Sequence, residues 1–132
     1  MNRAKAREYA FILIFEYKFQ PDDMQEIMAD FFEEYDTGSQ TEYIKNVVGG
    51  VIANTDKLDE KIAEFSNGWE KDRIALVSLA AMRLCIYEMM FCDDIPNAVS
   101  VNEAVGLIKL YEGEEATSFA NGVLGNIQKS LS

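Results

Sequence analysis

Between Arg3 and Phe19 the apolar residues Ala6, Tyr9, Ala10, Leu13, Ile14 and Tyr17 recur at steps of three and four, the spacing of one helix face. The same period resumes after Gln20-Pro21-Asp22, where Pro and Asp suit a helix start. It runs through Met24, Ile27, Met28, Phe31, Phe32 and Tyr35 and ends before Gly38. A third helix, capped by Ser39 or Thr41, carries Tyr43, Ile44, Val47, Val48, Val51 and Ile52. Its phase extends to Leu58, Ile62 and Phe65, and Asn67-Gly68 stops it. Gly49-Gly50 lies inside this helix at a cost of ~1 kcal/mol per residue, which predicts a close helix contact or a bend.

After a break near Trp69, a helix from about Lys71 to Phe91 is apolar on more than one face, as a central bundle helix is. Asp93 to Asn97 reads as a loop. Ser100-Val101-Asn102-Glu103 has the spacing of a capping box opening a helix to about Tyr111, and Gly113 separates that helix from a last one carrying Phe119, Val123, Leu124, Ile127 and Leu131. No segment shows a sustained two-residue alternation bounded by hairpin turns. The pattern predicts an all-α protein of six or seven helices.

Composition narrows this picture. The 132 residues, 48% hydrophobic and 27% charged, suffice for one domain spanning 1–132 with a real core. No apolar run approaches the ~20 residues that cross a bilayer, and no signal peptide is evident, so the chain reads as cytoplasmic. Cys85 and Cys92 sit in apolar surroundings that suit buried free thiols, as in a reducing compartment. The absence of histidine removes Ser-His and Cys-His nucleophile pairs, the usual zinc sites and imidazole acid–base chemistry. No catalytic residue, metal site or cofactor motif emerges.

The net charge of −11 argues against indiscriminate polyanion binding, but it is unevenly spread. Residues 1–20 hold four basic and two acidic groups, whereas residues 21–72 hold four and fourteen. The seven carboxylates from Asp22 to Asp36 lack the glycine-punctuated spacing of a calcium loop and read as a solvated helix face. Arg3 and Arg7, four apart at a helix N-terminus, oppose each other and the macrodipole. A phosphate would relieve both, and a frayed, solvated terminus is the alternative. Lys5 projects elsewhere and suits a second phosphate. Tyr9 falls on the apolar face and reads as core.

Several runs, taken in order, carry a more specific signal: Ala4-Lys5-Ala6-Arg7-Glu8, Asn54-Thr55 with Leu58-Asp59, Leu84-Cys85-Ile86-Tyr87-Glu88, Ile95-Pro96, Val101-Asn102-Glu103-Ala104-Val105, Lys109 and Phe119-Ala120-Asn121-Gly122-Val123-Leu124. Together they resemble the NusB family of transcription antitermination factors over nearly the whole chain. The resemblance implies two small helix bundles packed together, no catalysed reaction, and binding of boxA-type single-stranded RNA jointly with NusE, the small-subunit ribosomal protein. That activity serves ribosomal RNA operons within the RNA polymerase antitermination complex. The chain is expected as a monomer or a homodimer.

The resemblance implies an RNA-binding set of Arg3, Lys5, Arg7, Phe119 and Asn121, with Glu114 and Glu115 toward the protein partner. Phe119 matches an RNA-contacting phenylalanine of the family, while helical spacing alone makes it core. Asn121 bonds RNA or a neighbouring helix, and Gly122 permits close backbone approach. Arg83, inside an apolar helix, requires a carboxylate partner if buried. Departures from the family pattern include Gly106 for an acidic residue, Ala120 and Gly125 around Asn-Gly-Val-Leu, and Ile12 for glutamine. With only three N-terminal cations the salt slope on single strands is about −2, so affinity depends on NusE. The alternative is a helical adapter that binds a NusE-like partner with little RNA affinity.

Overall fold

The computed structural model describes residues 1–66 and 73–131. The helix expected from about Lys71 begins at Leu76, with residues 73–75 outside it, and the stop at Asn67-Gly68 and the break near Trp69 lie outside the described residues. Seven α-helices are present among them: α1 (Arg3–Phe19), α2 (Met24–Glu34), α3 (Thr41–Ala53), α4 (Thr55–Phe65), α5 (Leu76–Phe91), α6 (Asn97–Glu112) and α7 (Glu114–Ser130). No strand occurs among the described residues.

Helix α5 organises the rest. Eleven of its 16 residues are buried, and it packs against α1, α3, α4, α6 and α7. This is the consequence of a helix with no polar stripe: every side must find an apolar neighbour. Helices α1 and α3 pack on each other and on α5, and α6 and α7 pack on each other and on α5. Two helix groups therefore share one central element and one continuous hydrophobic core. Helix α2 is held to α1 through aromatic contacts, with Tyr9 lying 5.3 Å from Phe31 and 4.8 Å from Tyr35.

Local chemistry sets the helix ends, and three of them differ from the sequence pattern. Asn2 caps α1, its side-chain oxygen accepting from the Lys5 amide at 2.8 Å. Pro21–Asp23 forms a single 3₁₀ turn, so α2 starts at Met24. Thr41 opens α3 as its first residue rather than as its cap, its hydroxyl donating to the Gly38 carbonyl at 3.0 Å. The third predicted helix is two helices, with the break at Asn54, while Gly49-Gly50 stays helical and Gly50 makes the close helix contact expected there, against the Tyr87 ring. Asn54 turns back on α3, its amide side chain donating to the Gly50 carbonyl at 2.8 Å.

The capping box at Ser100 is also overturned. Pro96 is the residue preceding α6, so Ser100 and Glu103 lie inside the helix and make long-range contacts instead. Gly113 joins α6 to α7 at φ +90°, a backbone state that suits glycine. The seven carboxylates from Asp22 to Asp36 are all exposed, as the amphipathic pattern required. Arg83 has its carboxylate: Nε and Nη2 donate to the two oxygens of Asp59, both at 2.8 Å, tying α4 to α5. Both cysteines are free and buried.

Candidate nucleic-acid interface

The N-terminus of α1 is anchored by a buried carboxylate on α5. Glu88 is fully buried and accepts from Arg7 Nε at 2.9 Å and Nη2 at 3.3 Å, from Ser100 Oγ at 2.7 Å, and from the Tyr43 hydroxyl. One charge thus collects donors from α1, α3 and α6, as an acid inside a dry core must. Burial disfavours the charged form of Arg7, yet its hydrogen bond and charge attraction to Glu88 outweigh that and raise its pKa. Burial also pushes the Tyr43 phenol up, with Glu88 adding to the shift.

This network corrects the reading of Arg7 as a phosphate contact. The side chain is 4% exposed, and its third contact, Nη1 to Glu103 at 3.4 Å, is again to the protein. The charge conflict expected between Arg3 and Arg7 is relieved from within. Arg3 stacks on the Tyr43 ring at 4.1 Å and donates from Nε to Gln40 at 2.6 Å.

Lys5 is different. It is exposed, pairs with Glu8 at 3.2 Å, and lines an open hollow between α1 and α6 with Asn2, Ala4, Gly106, Leu107 and Leu110. Leu110 is 70% exposed beside it.

Phe119 and Asn121 stand on α7. Phe119 is half-buried and lines two hollows, one at the start of α5 and one with Phe65 and Ser66 of the α4 end. Asn121 is exposed. Gly122 is exposed too, and a Cβ there would meet nothing within 4 Å, so it does not serve close backbone approach. Glu114 and Glu115 are exposed at the first turn of α7, and Glu114 pairs with Lys109 at 3.3 Å. Lys5 and Phe119 thus belong to separate hollows, the first between α1 and α6 and the second between the start of α5 and α7.

The family model that matches this chain is that of the NusB family, and it matches residues 4–129. The chain belongs to the NusB family. A transcription antitermination protein NusB of Acetivibrio thermocellus is 46% identical over 130 residues, covering 98% of this chain and 90% of the relative. One of Clostridium novyi is 40% identical, covering 98% and 100%. Among solved structures, NusB of T. maritima superposes with a TM-score of 0.87 at 30% identity, covering 98% of this chain and 92% of that one. A crystal structure of the antitermination factors NusB and NusE in complex with double-stranded RNA superposes at 0.85 and 27% identity, covering 98% and 99%.

For this NusB-family chain, sequence reasoning missed Glu88 and Tyr43 as organising residues. The signal for Glu88 was present: an acid in the middle of a helix with no polar stripe needs buried cations and hydroxyls. The pairing itself spans 81 residues from Arg7 and is invisible to local pattern.

Proposed function

We propose that this NusB-family protein is a cytoplasmic, non-enzymatic transcription antitermination factor. It binds boxA-type single-stranded RNA together with NusE, within the RNA polymerase antitermination complex, in support of ribosomal RNA operon transcription. The observation that carries this reading is the likeness, over nearly full length on both sides, to a NusB held with NusE and RNA. Arg3 and Lys5 neutralise phosphates at the start of α1, and Phe119 and Asn121 meet bases on α7. Arg7 acts through Glu88, fixing the helix that presents Lys5. Glu114 and Glu115 face the basic partner.

A second reading is favoured by one fact, the burial of Arg7, which leaves the N-terminal cluster with fewer exposed cations. On that reading the chain is an adapter that binds a NusE-like protein with little RNA affinity. Labelled boxA RNA and a scrambled control, titrated with and without NusE, separate the two. Sequence-dependent binding that strengthens with NusE supports the factor; NusE binding with no discrimination between the RNAs leaves the adapter.

A further inference from the structure

Arginines in this chain are held in two ways. Arg7 and Arg83 each face a carboxylate, Glu88 and Asp59, which fixes the side chain and cancels its charge. Arg3, the half-buried first residue of α1, is also fixed, but by neutral groups. Its guanidinium lies on the Tyr43 ring, 4.1 Å from the centroid, and its Nε donates to Gln40 Oε1 at 2.6 Å. Among the described residues it makes no ion pair. Both partners are themselves anchored. The Tyr43 hydroxyl donates to the buried Glu88, and Gln40 ends the 3₁₀ turn Gly38–Gln40, its amide donating to the Thr37 carbonyl at 2.9 Å.

A guanidinium carries five N–H groups, one on Nε and four on the two Nη atoms. Gln40 takes the first and the ring covers one face, so the four on Nη1 and Nη2 have no partner among the described residues. A phosphate accepts two such donors side by side. A long side chain at a helix terminus is ordinarily frayed, and a contact made by it loses affinity to the ordering of its rotamers. Here the ordering precedes the ligand and the charge stays uncancelled. Resting on the RNA reading above, we infer that Gln40 is a positioning residue for RNA binding, its amide oxygen holding Arg3 on the Tyr43 ring with both Nη groups open to one backbone phosphate. A contact that served only to tie α1 to α3 would be made as well by a carboxylate at position 40, as Asp59 does for Arg83. A carboxylate there would also cancel the charge that the phosphate requires, and a neutral acceptor does not.

The test is fluorescence anisotropy of labelled boxA RNA with NusE across a salt series, with Tm measured for each chain. The full chain is compared with Gln40→Met, which keeps the length and removes the acceptor, with Gln40→Glu, with Arg3→Ala, and with Arg3→Ala and Gln40→Met combined. Gln40→Met is expected to weaken binding by about three- to tenfold, and by nothing further once Arg3 is gone. Gln40→Glu is expected to keep Tm at or above that of the full chain, yet to weaken binding and make the salt slope shallower by about 0.7. Undiminished affinity in Gln40→Met, in Gln40→Glu or in Arg3→Ala overturns the positioning role and leaves the RNA reading standing. An equal loss from Gln40→Met with and without Arg3 does the same, since the effect would then not run through the arginine. Binding of the RNA by none of these chains, even with NusE, overturns the RNA reading and the positioning role with it.

Discussion

The ring of Tyr87 on α5 lies against the backbone of Gly50 on α3, so closely that a Cβ on Gly50 would sit 2.1 Å from the ring's Cζ. The Tyr87 hydroxyl, past that contact, donates to Asn46 at 3.1 Å. Gly49, one residue away, faces open space with nothing within 4 Å. The same dipeptide therefore holds one glycine that the packing requires and one that only costs helix propensity.

Gly50→Ala forces the tyrosine to move or the helices to part, and a loss of about 1–3 kcal/mol is expected from overpacking. Gly49→Ala has the opposite sign, a gain of about 0.5–1 kcal/mol, because an exposed mid-helix glycine is replaced by the best helix former. Urea unfolding followed by circular dichroism at 222 nm, a wavelength that reads helix, ranks the two variants. A stable Gly50→Ala would contradict the packing.

Glu88 and Arg7 are bound to each other's charge in a dry place. Removing Glu88 leaves the buried Arg7 with only its 3.4 Å contact to Glu103, and removing Arg7 leaves Glu88 a buried anion with hydroxyl donors alone, so Glu88→Ala and Arg7→Ala are each expected to cost about 3–5 kcal/mol. The double variant removes both charges and should cost less than the two single losses together. A double-mutant cycle on unfolding free energies reads that coupling directly. Strict additivity would mean that the pair is not a unit.

Burial pushes the Cys92 thiol from its ordinary 9.0 up to about 11, with the Glu88 carboxylate acting in the same direction. Cys85 and Tyr43 are also raised, burial first and Glu88 second. The folded chain holds these protons more tightly than the unfolded one. Their contribution is fully present below about pH 9 and is lost as pH rises through the folded value, which for Cys92 is about 11. Thermal unfolding across this window should show a falling Tm, and Cys92→Ala should flatten the fall. A Tm constant to pH 11 would be incompatible with the buried, protonated thiol.

The helices were legible because apolar residues keep one phase along α1, α2 and α3, because α5 is apolar on more than one face, and because Arg83 inside an apolar stretch demands an acid, found as Asp59. The breaks were less so, since propensity and tertiary packing pull apart at them. Gly49-Gly50 remains helical because Tyr87 fills the space above Gly50, and Asn54 ends α3 because its own amide competes for the Gly50 carbonyl. The spacing of Ser100 and Glu103 fits a local cap equally well as two arms of a remote network, and only the position of Pro96 at the head of α6 decides between them. For the candidate interface, residue type was visible and exposure was not. Arg3, Lys5 and Arg7 look alike in sequence, yet one stacks on Tyr43, one faces solvent and one is buried.

That difference separates the RNA contributions of the three cations. Lys5 is exposed and its partner Glu8 is a near neighbour on the same helix, so its ammonium is free to exchange a carboxylate for a phosphate. On single-stranded RNA each phosphate neutralised adds about −0.7 to the slope of log K against log salt. Lys5→Ala is expected to make that slope shallower by about 0.7 and to weaken binding across RNA sequences, without changing Tm. Arg7→Lys keeps a charge facing Glu88 but loses the two-pronged geometry, so it should lower Tm and leave the salt slope where it was. Anisotropy titrations of boxA RNA with NusE at a series of salt concentrations measure both slopes. If Arg7→Lys shifted the slope and Lys5→Ala did not, the buried arginine would be the phosphate ligand and the assignment of the two residues would have to be exchanged.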